Sequence, residues 1–278
     1  MRAVPRSLFF AIVNPSIPTP TTERFPVQII GAGPGDPDLI TVRGQNLLAQ
    51  ADTVFYTGSL VPTQMLQHCR PTADCIDTRS HTLETWLPML RERVERGQRV
   101  VRLQDGDPCL YGALHELTAF LLKHEMAFEI VPGVSAFQLA AARLQVELTV
   151  PKLVQSIILT RVQGRTDVPG DEDLASLAAH RASLCLYLSA RHAPDAQDKL
   201  LAHYPPDTPV ALCYRLGWPD EQIHLRRLDG MAATTRETGF DRTVLYVISP
   251  ALEARAEARS QLYSPSHSHL FRPSSPKS

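Results

Sequence analysis

The sequence predicts an α/β protein with two α/β domains, a mainly parallel sheet in the N-terminal domain and a mixed sheet in the C-terminal domain. In the first half, short apolar segments alternate with longer amphipathic segments, a pattern typical of parallel strands joined by right-handed helical crossovers. In the second half, strands follow one another with few helices between them, so the last strands can pair antiparallel. The length of 278 residues allows one large domain or two small ones.

Strands of the N-terminal domain are predicted where β-branched and aromatic residues cluster. They are residues 27–30, 53–56, 99–103 and 128–131. The clearest helix covers residues 83–94, with Thr82 as its predicted N-cap and Gly97 just beyond its end. Its predicted apolar face consists of Leu83, Trp86, Leu87, Leu90 and Val94. Residues 113–124 and 135–145 also have helical patterns.

The C-terminal domain is predicted to begin where the rhythm of the sequence changes, near residue 148. Its predicted strands are residues 156–160, 184–188, 210–214, 222–228 and 243–249. The predicted organisation is a flexible leader (1–25), an N-terminal domain (26–147), a C-terminal domain (148–252) and a tail (253–278). Two domains imply a cleft, and small ligands bind preferentially in such clefts.

Composition narrows the class of function. Lys and Arg number 28 against 29 Asp and Glu, a formal net charge of −1, which argues against a dedicated nucleic-acid binder. No segment reaches the roughly 20 apolar residues that span a membrane. The five cysteines form no CxxC pair and have no metal-site spacing, so we predict no metal site and interpret them as reduced thiols of a cytoplasmic protein.

Three glycine- or proline-containing loops follow predicted strands. They are residues 31–36 (GAGPGD), 105–108 (DGDP) and 131–136 (VPGVSA). Ligands of open α/β sheets bind at the carboxyl edge of the strands, where these loops should meet. Ser135 is the predicted cap of the helix that follows the third loop. The two carboxylates of the second loop suit a cationic or hydroxyl-rich small molecule better than a phosphate.

Two other interpretations of the first loop are a dinucleotide site and a plain strand-to-helix turn. A dinucleotide fingerprint would require glycine where Asp36 stands and an acid at the end of the second strand. That strand is followed by Thr57 and Gly58, and Asp36 would repel a pyrophosphate. A dinucleotide-dependent oxidoreductase therefore stays as an unfavoured alternative from a different class.

The three loops resemble the signature loops of the tetrapyrrole methylases, S-adenosylmethionine-dependent enzymes of siroheme and cobalamin synthesis. Residues 148–151 (LTVP), 159–166 (LTRVQGRT), 218–221 (WPDE) and 260–265 (SQLYSP) narrow the resemblance to members that methylate precorrin-4 at carbon 11. The resemblance covers residues 27–272. Asp105, which stands where many relatives have glycine, and the extra leader are its departures.

The resemblance implies a homodimer that binds S-adenosylmethionine in the cleft between its two domains. The implied cofactor-binding residues are Pro34, Asp105, Gly106, Asp107, Leu110, Ser135, Ala136, Leu188 and Leu216. Leu188 and Leu216 would flank the adenine. The carboxylates would lie near the sulfonium and the α-amino group, which are both cationic.

The resemblance also implies a polyanionic tetrapyrrole as substrate, whose carboxylates need cations. Arg161 and Arg165 flank Gly164 and could grip carboxylates bidentately, although a surface loop with solvated arginines has the same pattern. Weaker substrate-binding candidates are Arg79, His81, Arg215 and Tyr111, of which Tyr111 is more simply interpreted as a core residue. The sequence singles out no catalytic base.

The implied reaction converts precorrin-4 and S-adenosylmethionine to precorrin-5 and S-adenosylhomocysteine, with transfer of the methyl group to a nucleophilic carbon of the macrocycle. Cobalt-precorrin-4 is the alternative substrate, because cobalt would be held by the substrate and not by the protein. A sibling regiospecificity and a non-catalytic tetrapyrrole carrier are further alternatives, and the carrier would not need the loops that resemble S-adenosylmethionine-binding ones.

Overall fold

A computed structural model describes residues 25–164 and 167–254, together with Ser268 and Leu270. The chain divides into two compact units. The first contains the residues up to Leu139 and the short segment Leu216–Pro219, and the second contains Ala140–Arg215 and the residues from Asp220 onward. The predicted domain boundaries stay predictions. The predicted leader except Phe25, most of the predicted tail and the motif at residues 260–265 lie outside the described residues.

The first unit contains a five-stranded parallel sheet, as predicted. Its strands are β1 (Val27–Gly31), β2 (Thr53–Tyr56), β3 (Asp74–Asp77), β4 (Val100–Gln104) and β5 (Phe128–Val131), in the order β3-β2-β4-β1-β5. All four pairings are parallel. Four strands lie within one residue of their predicted bounds. The sequence analysis missed β3, because this short edge strand begins and ends with aspartate, a residue depleted in strands.

Helices cover both faces of this sheet. They are α1 (Val42–Leu48), α2 (Leu83–Glu95) and α3 (Leu114–Lys123). A fourth helix, α4 (Ala136–Leu144), follows β5, and the division of the chain into two units falls within it. Ile29 and Phe55 pack with the buried face of α2 on one side, whereas Ile30 and Val54 pack with Leu48 of α1 on the other. Neighbouring strand residues therefore point to opposite faces, as the pleat requires.

Helix α2 confirms the clearest helical prediction. Trp86, Leu87, Leu90 and Val94 are buried, whereas Leu83 is only half-buried. Thr82 occupies the N-cap position, but its side chain makes no capping hydrogen bond with the helix. The apolar spacing was therefore a better predictor of this helix than its N-cap residue.

The second unit contains a mixed five-stranded sheet, which is also as predicted. Its strands are β6 (Ile157–Arg161), β7 (Ser183–Tyr187), β8 (Pro209–Tyr214), β9 (Gln222–Arg227) and β10 (Val244–Ile248), in the order β6-β7-β10-β8-β9. Strands β6 and β7 pair parallel, and the other three pairings are antiparallel. The helices of this unit are α5 (Leu174–Ala178), α6 (Ala193–Leu201) and α7 (Met231–Glu237).

The core of the second unit is built around its central strand β10, all of whose residues are buried. Leu184 on β7 and Leu200 on α6 belong to the same apolar cluster as Tyr246 on β10. The Tyr246 hydroxyl lies 3.0 Å from that of Thr235, so the one polar atom of this buried ring has a partner. Burial and hydrogen bonding thus agree at the centre of the unit.

All five cysteines are free thiols. Within the described residues, no helix is long and apolar enough to cross a membrane, and no cluster of three or more His, Cys, Asp or Glu side chains could hold a metal ion.

The core of the second unit should be far more sensitive to truncation than its surface. Leu184→Ala removes a fully buried side chain and should lower the free energy of unfolding by about 2–5 kcal/mol. Leu225→Ala on β9, where the side chain is more than half exposed, is the matched control and should cost less than about 1 kcal/mol. Denaturant unfolding measures both, and equal losses would contradict this account of the core.

Candidate functional site

Three loops meet at the carboxyl edge of the parallel sheet, where the sequence predicted them to meet. The loop after β1 pairs with the loop after β4: Gly106 N donates to Gly33 O at 2.8 Å, and Gly33 N donates to Gly106 O at 3.2 Å. The Ala32 amide also donates to the Gln104 carbonyl at 2.7 Å. These hydrogen bonds join two loops that are more than 70 residues apart in the sequence.

Glycine is required where the loops touch, because their main chains are in direct contact. A Cβ atom on Gly31 would lie 2.6 Å from Gly133 Cα and 2.7 Å from Gly106 O. A Cβ atom on Gly133 would lie 2.2 Å from Gly106 O. No side chain fits at Gly31 or Gly133 without moving backbone, so these two glycines allow the loops after β1 and β5 to touch each other and the Gly106 carbonyl of the loop after β4.

The Asp107 carboxylate ties the second loop to the third. Its Oδ2 accepts from Gly133 N at 3.0 Å, and its Oδ1 accepts from Cys109 N at 2.8 Å. Burial and the negative charge of Asp107 raise the pKa of Cys109, so this thiol stays protonated near neutral pH. The main contacts of Asp107 are therefore with the protein's own loops.

Gln104 is the last residue of β4, and Asp105 is the first residue of the loop that follows it. Burial raises the pKa of the half-buried Asp105 carboxyl, and the positive charge of Arg102 opposes part of that rise. The buried Gln104 side chain donates from Nε2 to the Gly112 carbonyl, whereas its Oε1 has no partner among the described residues. The sequence analysis missed Gln104, because it reads as the last residue of a strand.

The first loop also packs against the segment Leu216–Pro219. A Cβ atom on Gly35 would lie 2.7 Å from Leu216 O and 2.5 Å from the Trp218 ring. Leu216 itself is buried. The Asp36 carboxylate accepts from Asp38 N at 3.0 Å, so this acid caps the turn after Gly35. Pro34 therefore lies in a loop that is fixed on both sides.

Three of the non-glycine residues selected from the sequence have left-handed backbones, which such residues adopt at a cost of roughly 1–2 kcal/mol. They are Tyr111 (φ 56°), Leu188 (φ 53°) and Arg215 (φ 46°). Tyr111 is 43% exposed and Leu188 is 69% exposed. The interpretation of Tyr111 as a buried core residue is therefore wrong. Strained residues of this kind are concentrated at functional sites.

The strain at Leu188 is maintained by its buried neighbour Ser189. The Ser189 hydroxyl donates to Tyr187 O at 2.6 Å and accepts from Val162 N at 3.0 Å. These two bonds fix the turn after β7 and leave the Leu188 side chain in solvent. An exposed, rigidly held leucine at a strand end is suited to contact a flat apolar ligand.

Arg79 and His81 follow β3 and are exposed at the same sheet edge as the three loops. The Asp77 carboxylate accepts from Arg79 Nε at 2.5 Å and from Gly58 N at 2.9 Å. Burial alone would raise the pKa of Asp77, but its hydrogen bonds from Arg79 and Gly58 outweigh burial and lower the pKa. Arg79 is thus held in place by an ionised partner.

Of the two arginines in the motif at residues 159–166, the structure describes one. Arg161 Nη2 donates to the Asp167 carbonyl at 2.7 Å, so this guanidinium holds a loop and is not simply solvated. Arg165 lies outside the described residues. Arg215 forms an ion pair with Asp220 at 2.5 Å.

The structure brings together most of the predicted site residues within the first unit. Pro34, Asp105, Gly106, Asp107, Leu110, Ser135 and Ala136 all belong to the three loops or to the start of α4. The Ser135 amide donates to Gln138 Oε1 at 2.8 Å, which is one half of a capping box. Leu188 and Arg161 belong to the second unit, at the carboxyl ends of the parallel pair β7 and β6.

A family model of the tetrapyrrole (corrin/porphyrin) methylases matches residues 26–232, which include all three loops. The chain belongs to this family. The predicted family and fold are confirmed. The chain is therefore an S-adenosylmethionine-dependent methyltransferase.

Individual relatives extend the comparison over nearly the whole chain. A precorrin-4 C(11)-methyltransferase of Pseudomonas aeruginosa is 41% identical over 247 residues, which cover 89% of this chain and 98% of that protein. The X-ray structure of a cobalt precorrin-4 methyltransferase is 39% identical with a TM-score of 0.79, covering 82% of this chain and 96% of that one. A Thermus thermophilus uroporphyrin-III C-methyltransferase in complex with S-adenosylhomocysteine is 28% identical with a TM-score of 0.69, covering 84% and 97%.

The close packing of the three loops should tolerate no Cβ atom at its centre. Gly133→Ala should destabilise the first unit by roughly 2 kcal/mol or more, because backbone has to move, and it should weaken binding of S-adenosylhomocysteine. Gly230→Ala is the matched control, since nothing lies within 4 Å of its Cβ position and its φ is −100°. Thermal unfolding and calorimetric titration test both variants; a fully stable Gly133→Ala protein would show that the loops are not in contact.

Proposed function

We propose that this methyltransferase transfers a methyl group to carbon 11 of precorrin-4, giving precorrin-5 and S-adenosylhomocysteine. The observation that carries the proposal is the 41% identity to the Pseudomonas aeruginosa precorrin-4 C(11)-methyltransferase over 98% of that protein. The geometry also supports it, because the chain has the features expected for binding S-adenosylmethionine: the glycine contacts between the loops, the Asp105 carboxylate and the strained, exposed Leu188.

Cobalt-precorrin-4 is the second candidate substrate. A cobalt-precorrin-4 C(11)-methyltransferase of Priestia megaterium is 40% identical over 96% of its own length, so its similarity to this chain is nearly the same. The cobalt would be held by the substrate. The described residues include no cluster of His, Cys, Asp or Glu side chains that could hold a metal ion. Steady-state kinetics with each of the two substrates therefore decides between them.

The residues of the three loops fit S-adenosylmethionine as a ligand. Nothing lies within 4 Å of the Cβ position of Gly106, which leaves room for a ligand to approach the loops that carry Pro34, Leu110, Ser135 and Ala136. Asp105 supplies a carboxylate for a cationic group. Asp107 acts mainly by fixing Gly133 and Cys109, so its role in binding is to position the loops. Leu188 and Leu216 are proposed to contact the adenine.

When bound, S-adenosylmethionine supplies an electrophilic methyl group, and a nucleophilic carbon of the substrate accepts it. The chain's own task is positioning, because holding two reactants in line can contribute up to roughly 7–11 kcal/mol. The rigid loops provide that positioning through their backbone hydrogen bonds. No side chain needs to form a covalent intermediate.

Cationic side chains are proposed to hold the carboxylates of the tetrapyrrole. Arg161, Arg165 and Arg215 are candidates from the second unit, and Arg79 and His81 are candidates from the first. The fixed orientation of Arg79 by Asp77 supports its role, since a pre-ordered guanidinium loses little entropy on binding. Tyr111 is exposed and strained, which fits a contact with the macrocycle.

We also propose that the enzyme is a cytoplasmic homodimer. Five free thiols support a reducing compartment. Sedimentation equilibrium of the purified chain tests the oligomeric state, with a mass close to twice 30.8 kDa expected.

The proposed function is tested by incubating the protein with methyl-labelled S-adenosylmethionine and precorrin-4, and then locating the label by NMR. Label on carbon 11 is the expected result. Label on another carbon would establish a sibling regiospecificity, and the same assay with cobalt-precorrin-4 compares the two substrates. If calorimetry detected binding of NADH but no binding of S-adenosylhomocysteine, the result would support the oxidoreductase class instead.

The charge of Asp105 should control binding of the cofactor. Asp105→Asn should weaken binding of S-adenosylmethionine about tenfold, equivalent to roughly 1.4 kcal/mol. If Asp105 faces the sulfonium, S-adenosylhomocysteine, which lacks that charge, should lose less affinity. Because burial raises the pKa of Asp105, the affinity of the wild type should fall on acidification at a higher pH than for an ordinary aspartate.

The matched control for this variant is Asp74→Asn, at the amino end of β3, where the carboxylate pairs with Arg93 at 2.8 Å. It removes the same charge at the opposite edge of the sheet and should leave the affinity unchanged. Calorimetric titrations between pH 5 and pH 8 measure all three proteins. Equal affinities of Asp105→Asn and wild type would refute the role of Asp105.

A further inference from the structure

Arg102 is a charged side chain buried in the middle of the parallel sheet, and none of the roles described above uses it. It lies on β4 between Ile29 of β1 and Phe55 of β2, and it is only 9% exposed. Its guanidinium carbon lies 4.8 Å from the centre of the Trp86 ring. Burying an arginine is costly, so its presence here calls for a physical reason.

Arg102 has no ion-pair partner among the described residues; instead it binds two hydroxyls. Its Nη2 donates to Thr57 Oγ1 at 2.9 Å, and its Nη1 donates to Thr78 Oγ1 at 3.0 Å. Asp105 attracts it electrostatically, but burial still lowers the pKa of Arg102 to about 10. The guanidinium therefore stays charged near neutral pH, and its charge is not cancelled by direct contact with an acid.

The two hydroxyls differ in where their protons go. A guanidinium only donates, so both threonine oxygens accept from Arg102. The Thr78 hydroxyl then donates to the Tyr56 carbonyl at 3.0 Å. In the contact between the two threonine oxygens, 3.2 Å apart, Thr57 is therefore the donor. Thr78 is buried, whereas Thr57 is half-buried, so the Thr57 proton is the one that can turn toward a ligand.

The position of Thr57 favours an anionic ligand as the acceptor of its hydroxyl proton. Thr57 directly follows β2 at the carboxyl edge of the sheet, and Thr78 directly precedes Arg79, a candidate for binding a substrate carboxylate. A hydroxyl that accepts from a buried cation is polarised toward donation, and its natural acceptor is an anionic oxygen. Hydrogen bonds to charged groups are also stronger than those to neutral ones.

We propose that Thr57 donates a hydrogen bond to a carboxylate of the tetrapyrrole, and that Arg102 is a positioning residue that orients and polarises Thr57 for this contact. This inference rests on the proposed function and adds to it a subsite at the ends of β2 and β3. The buried cation is then explained, because its charge acts on the substrate through the hydroxyl.

The test is steady-state kinetics of Thr57→Val, with the tetrapyrrole varied at saturating S-adenosylmethionine. The KM for the tetrapyrrole should rise about tenfold or more, the loss expected for a hydrogen bond to a charged group. The kcat should change less than about threefold, and the affinity for S-adenosylhomocysteine should not change. Thr57→Ser keeps the hydroxyl and should retain a KM near that of the wild type.

Thr53→Val is the matched control for loss of a buried hydrogen bond. Thr53 lies at the other end of β2, and its hydroxyl donates to Gln98 Oε1 at 2.8 Å. This variant should lose stability as Thr57→Val does, without a change in KM. Arg102→Met should raise the KM for the tetrapyrrole, and adding Thr57→Val to it should raise KM little further, because the two residues act as one unit.

The outcomes separate the inference from the proposed function. If the wild type does not methylate precorrin-4 or cobalt-precorrin-4, the proposed function is refuted and the inference fails with it. If the wild type is active and Thr57→Val has an unchanged KM, the inference alone is overturned. Equal effects of Thr57→Val and Thr53→Val would overturn it too, because they would show a structural role only.

Discussion

Direct contact between main chains is the constraint on which the rest of the first unit depends. The strand order places β1 between β4 and β5, so the three loops after these strands emerge side by side. Gly31 and Gly133 then allow the loops to touch each other and the Gly106 carbonyl at distances that exclude a Cβ atom on either glycine. Asp107 adds the polar part of the same junction by accepting amides from two loops. The charged residues around the junction are therefore placed by backbone, and not by flexible side chains.

Much of this fold could be predicted because local patterns decide it. Alternation of strands and helices indicated the parallel sheet, and apolar spacing located α2 through Leu90 and its neighbours. The order of the strands could not be predicted, since it depends on pairings between distant segments. Strand β3 was missed for a related reason: its sequence, Asp74–Asp77, has little strand propensity, and its pairing with β2 holds it in place.

The meeting of the three loops was predictable, but the details of their surroundings were less so. Glycine loops at strand ends predicted that the loops meet at the carboxyl edge of the sheet, because parallel strands end together. The left-handed backbone of Leu188 was invisible in the sequence, since leucine rarely adopts it and the bonds of Ser189 impose it. In the sequence, Arg102 looks like an ordinary strand residue, because only the folded sheet shows that it is buried beside two hydroxyls.

Opposite charges lie three residues apart at Arg102 on β4 and at Asp105 just beyond its end, and the proposed function gives each charge a use. The methyl donor is a cation, whereas the proposed acceptor is a polyanion, so the proposed binding surface must offer both signs without cancelling them. Burial disfavours the ionised form of each group: it raises the pKa of Asp105 and lowers that of Arg102. Their mutual attraction opposes both shifts. Because no direct ion pair forms, neither group neutralises the other, and each favours the ionised form of the other. Under the proposed function, each charge therefore stays available for its own reactant.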